Sequence, residues 1–155
     1  MGVQNYNAGD YQKMCTLEKI NFLHKVHKEE ISLWDDDSND NDIWDDYHTV
    51  QDELLHHSEI LNCEDVLHTM KIFDDDCFEI SWQFNLARML YSNCVYYGKN
   101  RIAFYLQHLN AIPLNGKFHG WHFPIQWLMD EKSFLFLKEA VQEQTIETKK
   151  LYCKF

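Results

Sequence analysis

One segment, FEISWQFNLARMLYSNCVYYG at residues 78–98, constrains the fold of this chain more than any other. Between residues 80 and 97 it contains a single charged side chain, Arg88, and apolar or aromatic residues occur at every angle around a helical wheel. A helix that is apolar on all sides is normally buried on all sides. We therefore predict a central buried helix over about 80–97, which ends at Gly98.

Amphipathic stripes on either side of this segment predict the surrounding helices. They run over about 16–34, 43–61, 66–73 and 101–109, and then from Pro124 through 133–144. Thr16 is the expected N-cap of the first, with Glu18 in its first turn. The sequence predicts one all-α domain of about seven or eight helices, with amphipathic helices wrapped around the central one. The domain is expected to span 1–155, with its core at about 14–140.

An acidic segment separates the first two predicted helices. Residues 35–46 contain seven aspartates and two asparagines, which raises the question of a calcium loop. In an EF-hand register that starts at Asp35, the essential glycine is replaced by Asp40 and the final bidentate glutamate by Asp46. Because runs of like charge repel and stay extended, we predict a flexible acidic loop without a specific ion.

Composition excludes several classes of protein. A formal net charge of −11 argues against nucleic-acid binding, which needs a basic surface. The five cysteines are odd in number and include no C-x-x-C pair, so free thiols in a reducing compartment are expected. No run of 18 or more apolar residues occurs, so no integral membrane anchor is expected.

Motifs for catalysis or cofactor binding are also missing from the sequence. The pairs His56–His57 and His119/His122 fall short of the three or four convergent ligands that zinc needs. The run Asp74–Asp76 is more typical of a solvated turn at the end of a helix than of paired catalytic carboxylates. We expect neither an enzyme nor a bound metal or cofactor.

The order of these segments resembles the Bcl-2 family of apoptosis regulators. Residues 17–34, LEKINFLHKVHKEEISLW, resemble the family's first helix, and the acidic segment lies where the family has a long polar loop. Residues 66–97 resemble the helix pair that contains the first homology motif, and residues 124–137, PIQWLMDEKSFLFL, resemble the second motif. The resemblance covers roughly residues 14–140 and implies a Bcl-2-like helical bundle.

The first homology motif departs from the family pattern. The family reads Asn-Trp-Gly-Arg, where this chain reads Ser81-Trp82-Gln83-Phe84. In the family the glycine admits the partner's backbone, and the arginine pairs with an aspartate of the partner's BH3 helix. Gln83 removes the first feature and Phe84 the second. Arg88 lies one turn later, and the resemblance implies that it takes over the pairing. This divergence, together with the absence of a membrane tail, is typical of a viral member.

The resemblance also implies a binding groove, since helix-in-groove recognition needs an apolar trough with one or two polar groups. Its wall and floor are expected to comprise Val66, Met70, Phe73, Phe84, Ala87, Arg88 and Tyr91. The alternative is that these stripes are ordinary core.

Two functions follow as expectations. The first is an anti-apoptotic protein that binds the BH3 helix of pro-apoptotic proteins and so inhibits host cell death. The second is a helical adaptor of the same fold that binds another host signalling protein. Host cytoplasm or the periphery of mitochondria is the expected location, and the protein is expected to be a monomer or a homodimer.

Calcium titration tests the interpretation of the acidic segment. Calorimetry is expected to show no site tighter than about millimolar, near the weak end of natural calcium sites, because the glycine and the bidentate glutamate are missing. Micromolar binding that is lost in an Asp35→Asn/Asp37→Asn variant would contradict the interpretation.

Overall fold

Helices form nearly all of the chain that the structure describes. The computed structural model describes residues 7–34, 41–76, 80–117, 120 and 131–146, and only the backbone of residues 29–34, 41, 42, 80 and 133. The six α-helices in these ranges are α1 (Thr16–Trp34), α2 (Asn41–His56), α3 (Cys63–Met70), α4 (Ile80–Tyr97), α5 (Lys99–Gln107) and α6 (Glu131–Gln142). Short 3-10 helices occupy Asp10–Lys13, Ser58–Ile60, Leu109–Ala111 and Leu114–Gly116. No strand occurs among the described residues, which confirms the prediction of an all-α fold.

The predicted acidic loop over 35–46 is too long at its C-terminal end. Helix α2 already begins at Asn41, so the second half of that segment is helical, while residues 35–40 lie outside the described ranges. The carboxylate of Asp46 accepts a hydrogen bond of 2.6 Å from the backbone N–H of Gly9. Gly9 has a positive φ of 80°, a conformation that favours glycine. One aspartate of the segment therefore ties the N-terminal turn to α2.

The start of α1 differs by one residue from the expected cap. Thr16 is the first helical residue, so Cys15 occupies the N-cap position. The N–H of Cys15 donates to Oε2 of Glu18 at 2.8 Å, which is one half of a capping box. This hydrogen bond lowers the pKa of Glu18 below its ordinary value.

Helix α3 is only eight residues long and is held by a complete capping box. The Asn62 side chain accepts from the N–H groups of Glu64 and Asp65 at 2.8 and 3.0 Å, and Asp65 accepts from the N–H of Asn62 at 3.0 Å. A helix this short is marginal by itself in water, so the cap and its packing decide its stability. Helix α3 packs on α1 and also contacts α4 and α5.

Helix α4 lies at the centre of the bundle. It packs against α2, α3, α5 and the turn at Ser58–Ile60. The buried hydrophobic residues form one cluster that reaches from Ile20 on α1 to Ala140 on α6. The burial of α4 is not complete, however, because Ser81, Phe84 and Arg88 form an exposed stripe along one face. None of the described helices is long and apolar enough to cross a membrane.

A buried polar network joins the first half of α4 to α1 and α2. The hydroxyl of Tyr47 lies 2.6 Å from Nε2 of His27 on α1. The amide of Gln51 donates to Tyr47 at 3.3 Å and to the backbone carbonyl of Trp82 at 3.2 Å, and its oxygen accepts from Asn85 at 3.1 Å. Three helices are therefore fixed in register by side chains that would be costly to bury alone.

The pH dependence of stability provides a test of this network. Burial lowers the pKa of His27 to about 4, with a smaller contribution from His24. In the unfolded chain His27 becomes protonated as the pH falls through about 6.5, whereas in the folded chain it stays neutral until the pH is near 4. Folded stability is therefore expected to fall by about 3 kcal/mol as the pH drops from 6.5 to 4, a range of 2.5 pKa units at 1.36 kcal/mol each.

Urea denaturation of the wild type and of His27→Gln between pH 4.5 and 7 measures this effect. The His27→Gln protein should show a much smaller dependence on pH, while His56→Gln, which replaces an exposed histidine, should retain the wild-type dependence. Equal slopes in all three proteins would show that His27 is not buried in its neutral form.

Candidate functional site

The structure divides the seven residues of the predicted groove into two groups. Val66, Met70, Phe73 and Ala87 belong to the core, with at most 1% of each residue exposed. They come from α3, the turn that follows it and α4, and they pack together with the rest of the hydrophobic cluster. In this packing they offer a ligand almost no surface. A peptide reaches them only if the packing around α3 opens.

The other three residues lie on the outer side of α4. Phe84 is 39% exposed, Arg88 is exposed and Tyr91 is half-buried. Their spacing of four and three residues places them on one face of the helix, with Arg88 between the two aromatic residues. We call this face the outer α4 face. It combines apolar area with one cation, which suits an amphipathic helix that carries an acidic residue.

The charge of Arg88 is not neutralised within the described part of the chain. The ion pairs found there join Lys13 to Asp10, Lys19 to Glu53, His57 to Glu59 and Lys99 to Glu143. An unpaired arginine is notable in a chain with a net charge of −11. Its planar group can donate two parallel hydrogen bonds to one carboxylate.

Arg101, by contrast, has a structural role that the sequence did not indicate. Its Nη1 donates to the carbonyl of Leu61 at 2.9 Å and to Oδ1 of Asn93 at 2.8 Å, and its guanidinium lies 4.2 Å from the centre of the Tyr97 ring. Asn93 in turn donates to the carbonyls of Ser58 and Leu61 at 2.6 and 3.1 Å. The carbonyls that accept from Arg101 and Asn93 lie 32 to 40 positions away, beyond the reach of helical periodicity.

Trp82 and Gln83, the centre of the motif that resembles the family, point into the core. The Trp82 ring stacks on Trp44 with centroids 5.0 Å apart and meets Tyr47 at 4.5 Å. Gln83 is fully buried, and its side-chain oxygen accepts from the N–H of Asp74 at 3.0 Å. The Gln83 side chain therefore lies inside the bundle and caps a turn, and its effect on the approach of a partner's backbone stays a prediction.

Groups that could support metal or acid–base chemistry do not converge in the described residues. No set of three His, Cys, Asp or Glu side chains there is arranged to hold a metal ion. The carboxylate of Asp74 accepts from the N–H of Asp76 and from Asn115, both at 3.0 Å, which is a turn-forming role. His119 and His122 lie outside the described residues. Cys94 is a free thiol whose pKa is raised by burial.

Comparison with known proteins finds no family model that matches the chain, no similar curated protein and no similar solved structure. The resemblance to the Bcl-2 family therefore stands on the sequence pattern alone. The BH3-binding role of the seven groove residues stays a prediction.

The two arginines give a matched test of which one supports the fold. Arg101→Ala is expected to lower the free energy of unfolding by about 1–3 kcal/mol, because it leaves the Asn93 amide oxygen without this donor and removes one of the two donors to the Leu61 carbonyl. Arg88→Ala should change it by less than about 0.5 kcal/mol, as exposed substitutions usually do. Urea denaturation of both variants at neutral pH measures the difference, and equal losses would contradict the assignment of roles.

Proposed function

We propose that this protein binds an amphipathic helix on the outer α4 face, and that the helix is the BH3 segment of a pro-apoptotic protein. The observation that carries the proposal is the exposed Arg88, which has no ion pair among the described residues and lies between Phe84 and Tyr91 on one helix face. The biological outcome would be inhibition of host cell death by a viral protein of the Bcl-2 type. The proposal places the protein in the host cytoplasm or at the periphery of mitochondria.

The physical reason lies in the aspartate that such a helix presents beside its apolar residues. Burying a carboxylate without a partner is costly, so the binding surface must supply a cation. Arg88 is the only cation on α4, and its fork of donors matches the geometry of a carboxylate. Phe84 and Tyr91, one turn away on each side, would receive the apolar side chains that flank the aspartate.

A deeper groove that includes Val66, Met70 and Phe73 would require α3 to separate from α4. Helix α3 is the shortest of the described α-helices, and its stability depends on one capping box and on packing. An opening of α3 in the bound state would bring the buried wall into contact with the peptide. Hydrogen exchange at residues 66–70 distinguishes the two modes, because opening exposes these amides and binding to the outer face alone does not.

The second candidate is an adaptor of the same fold that binds another host signalling protein without BH3 recognition. The observation that favours it is the burial of four of the seven predicted groove residues. In that case the outer α4 face would still be a contact surface, but its partner would not need to be a BH3 helix.

Titration of a fluorescent BH3 peptide tests the first candidate against the second. Arg88→Ala should weaken binding by about 2–5 kcal/mol, the usual loss when one member of a buried charge pair is removed. Arg88→Lys should recover only part of this loss, because lysine lacks the two-pronged donor geometry. Lys138→Ala removes the same charge from an exposed position on α6 and should leave the affinity unchanged.

Replacement of the peptide's aspartate by alanine completes a double-mutant cycle. Its loss and that of Arg88→Ala should not add, because both remove the same contact. Fully additive losses would show that Arg88 and the aspartate do not touch. If the folded wild type binds no BH3 peptide, the adaptor is the better description.

A further inference from the structure

A cleft lies between α1 and the chain that follows α3, away from the outer α4 face. Its volume is about 360 Å³, within the range of pockets that hold small molecules. Basic and apolar side chains share its lining, in particular His24, Lys28, Lys71, Ile72, Phe73 and Pro113. One side is fixed by Gly116, where any Cβ atom would overlap the carbonyl of Phe73, and by the hydrogen bond from the Asp75 N–H to the carbonyl of Asn115.

Four basic groups gather around this cleft. His24 and Lys28 are one turn apart on α1, and His68 and Lys71 are three residues apart at the end of α3, which packs on α1. The pKa of His24 is lowered by burial and further by the charges of Lys28, His68 and Lys71, which confirms that the four groups lie within electrostatic reach of one another. None of them forms an ion pair with a carboxylate of the described residues.

Positive charge is concentrated at this cleft, because Lys28 and Lys71 both line it in a chain that has 25 acidic against 14 basic residues. The acidic group in the lining, Asp74, already accepts hydrogen bonds from the Asp76 N–H and from Asn115. His27 also lines the cleft, and its Nε2 is hydrogen-bonded to the hydroxyl of Tyr47. His24, Lys28 and Lys71 are thus the groups left to receive a ligand.

We propose that this cleft binds a small organic phosphate, with the phosphate group between Lys28 and Lys71 and the organic part against Pro113. Two lysines match the double negative charge of a phosphate monoester, while His24 adds a donor to its oxygens. Ile72 and Phe73 also line the cleft but are only 2% and 1% exposed, so Pro113 supplies the apolar contact that free phosphate leaves uncovered. The concave shape and the volume favour a small molecule over a protein surface.

The test is calorimetric titration of the full chain with phenyl phosphate, and with inorganic phosphate and benzoate as comparison ligands. We expect saturable binding of phenyl phosphate, and weaker binding of the other two, because inorganic phosphate lacks the ring and benzoate carries one charge. Lys28→Gln and Lys71→Gln should each weaken phenyl phosphate binding by about tenfold or more, the equivalent of one charge-assisted hydrogen bond.

Matched controls separate the cleft from general electrostatics. Lys138→Gln removes the same charge from α6 and should leave binding unchanged, and so should Arg88→Ala on the outer α4 face. Lys28 and Lys71 are exposed, so their replacement does not disturb the core, and equal urea midpoints verify this. The proposal is overturned if phenyl phosphate does not saturate, if benzoate or inorganic phosphate binds equally well, or if Lys138→Gln reduces binding as much as Lys71→Gln.

Discussion

The buried hydrogen-bond chain from His27 through Tyr47 and Gln51 to the backbone of Trp82 is the interaction on which the arrangement of this bundle depends. Apolar side chains pack in many ways with similar energy, whereas a buried polar group must meet its own partner. Tyr47 therefore sets the register of α2 against α1, while Gln51 sets it against α4. The Trp82 ring, which stacks on Trp44, fills the space around this chain. Loss of any one of these three side chains removes at least one buried hydrogen bond.

A second network holds the other half of α4. Asn93 and Arg101 donate hydrogen bonds to the backbone of the 58–61 turn, which joins α4 and α5 to the chain that follows α2. The two networks occupy inward positions along α4, which turns Phe84 and Arg88 outward. The outer α4 face is the side of the helix that these buried contacts leave exposed, and the proposed binding of a helix there depends on it.

Positive charge without an ion pair among the described residues occurs at two separate places in an acidic protein, the outer α4 face and the cleft beside α1. Arg88 offers a planar fork between two aromatic positions on the surface of a helix. Lys28 and Lys71 are compact charges that line a cleft. The first geometry suits the carboxylate of a helix, and the second suits the phosphate of a small molecule. The two proposals rest on different cations and stand or fall independently.

Most of the helices could be predicted from the sequence because their signals are local. The apolar spacing along α1 predicted its bounds at 16–34, and Ile43, Tyr47 and Val50 predicted the buried face of α2. The predicted connector over 35–46 is too long, because the aspartates near its end belong to α2, whose apolar spacing starts at Ile43.

The outward face of α4 could not be predicted. Apolar residues occur on every side of this helix, so its sequence does not indicate which side faces solvent. Gln83 and Asn93 are polar, yet both are fully buried. Arg101 supports the core whereas Arg88 lies exposed, and nothing in their local sequence distinguishes them. The sequence by itself determined where the helices form, because helical periodicity acts over a few residues. Only the tertiary structure decided which polar side chains are inside, because their partners lie 30 to 40 positions away and meet them only when the bundle is assembled.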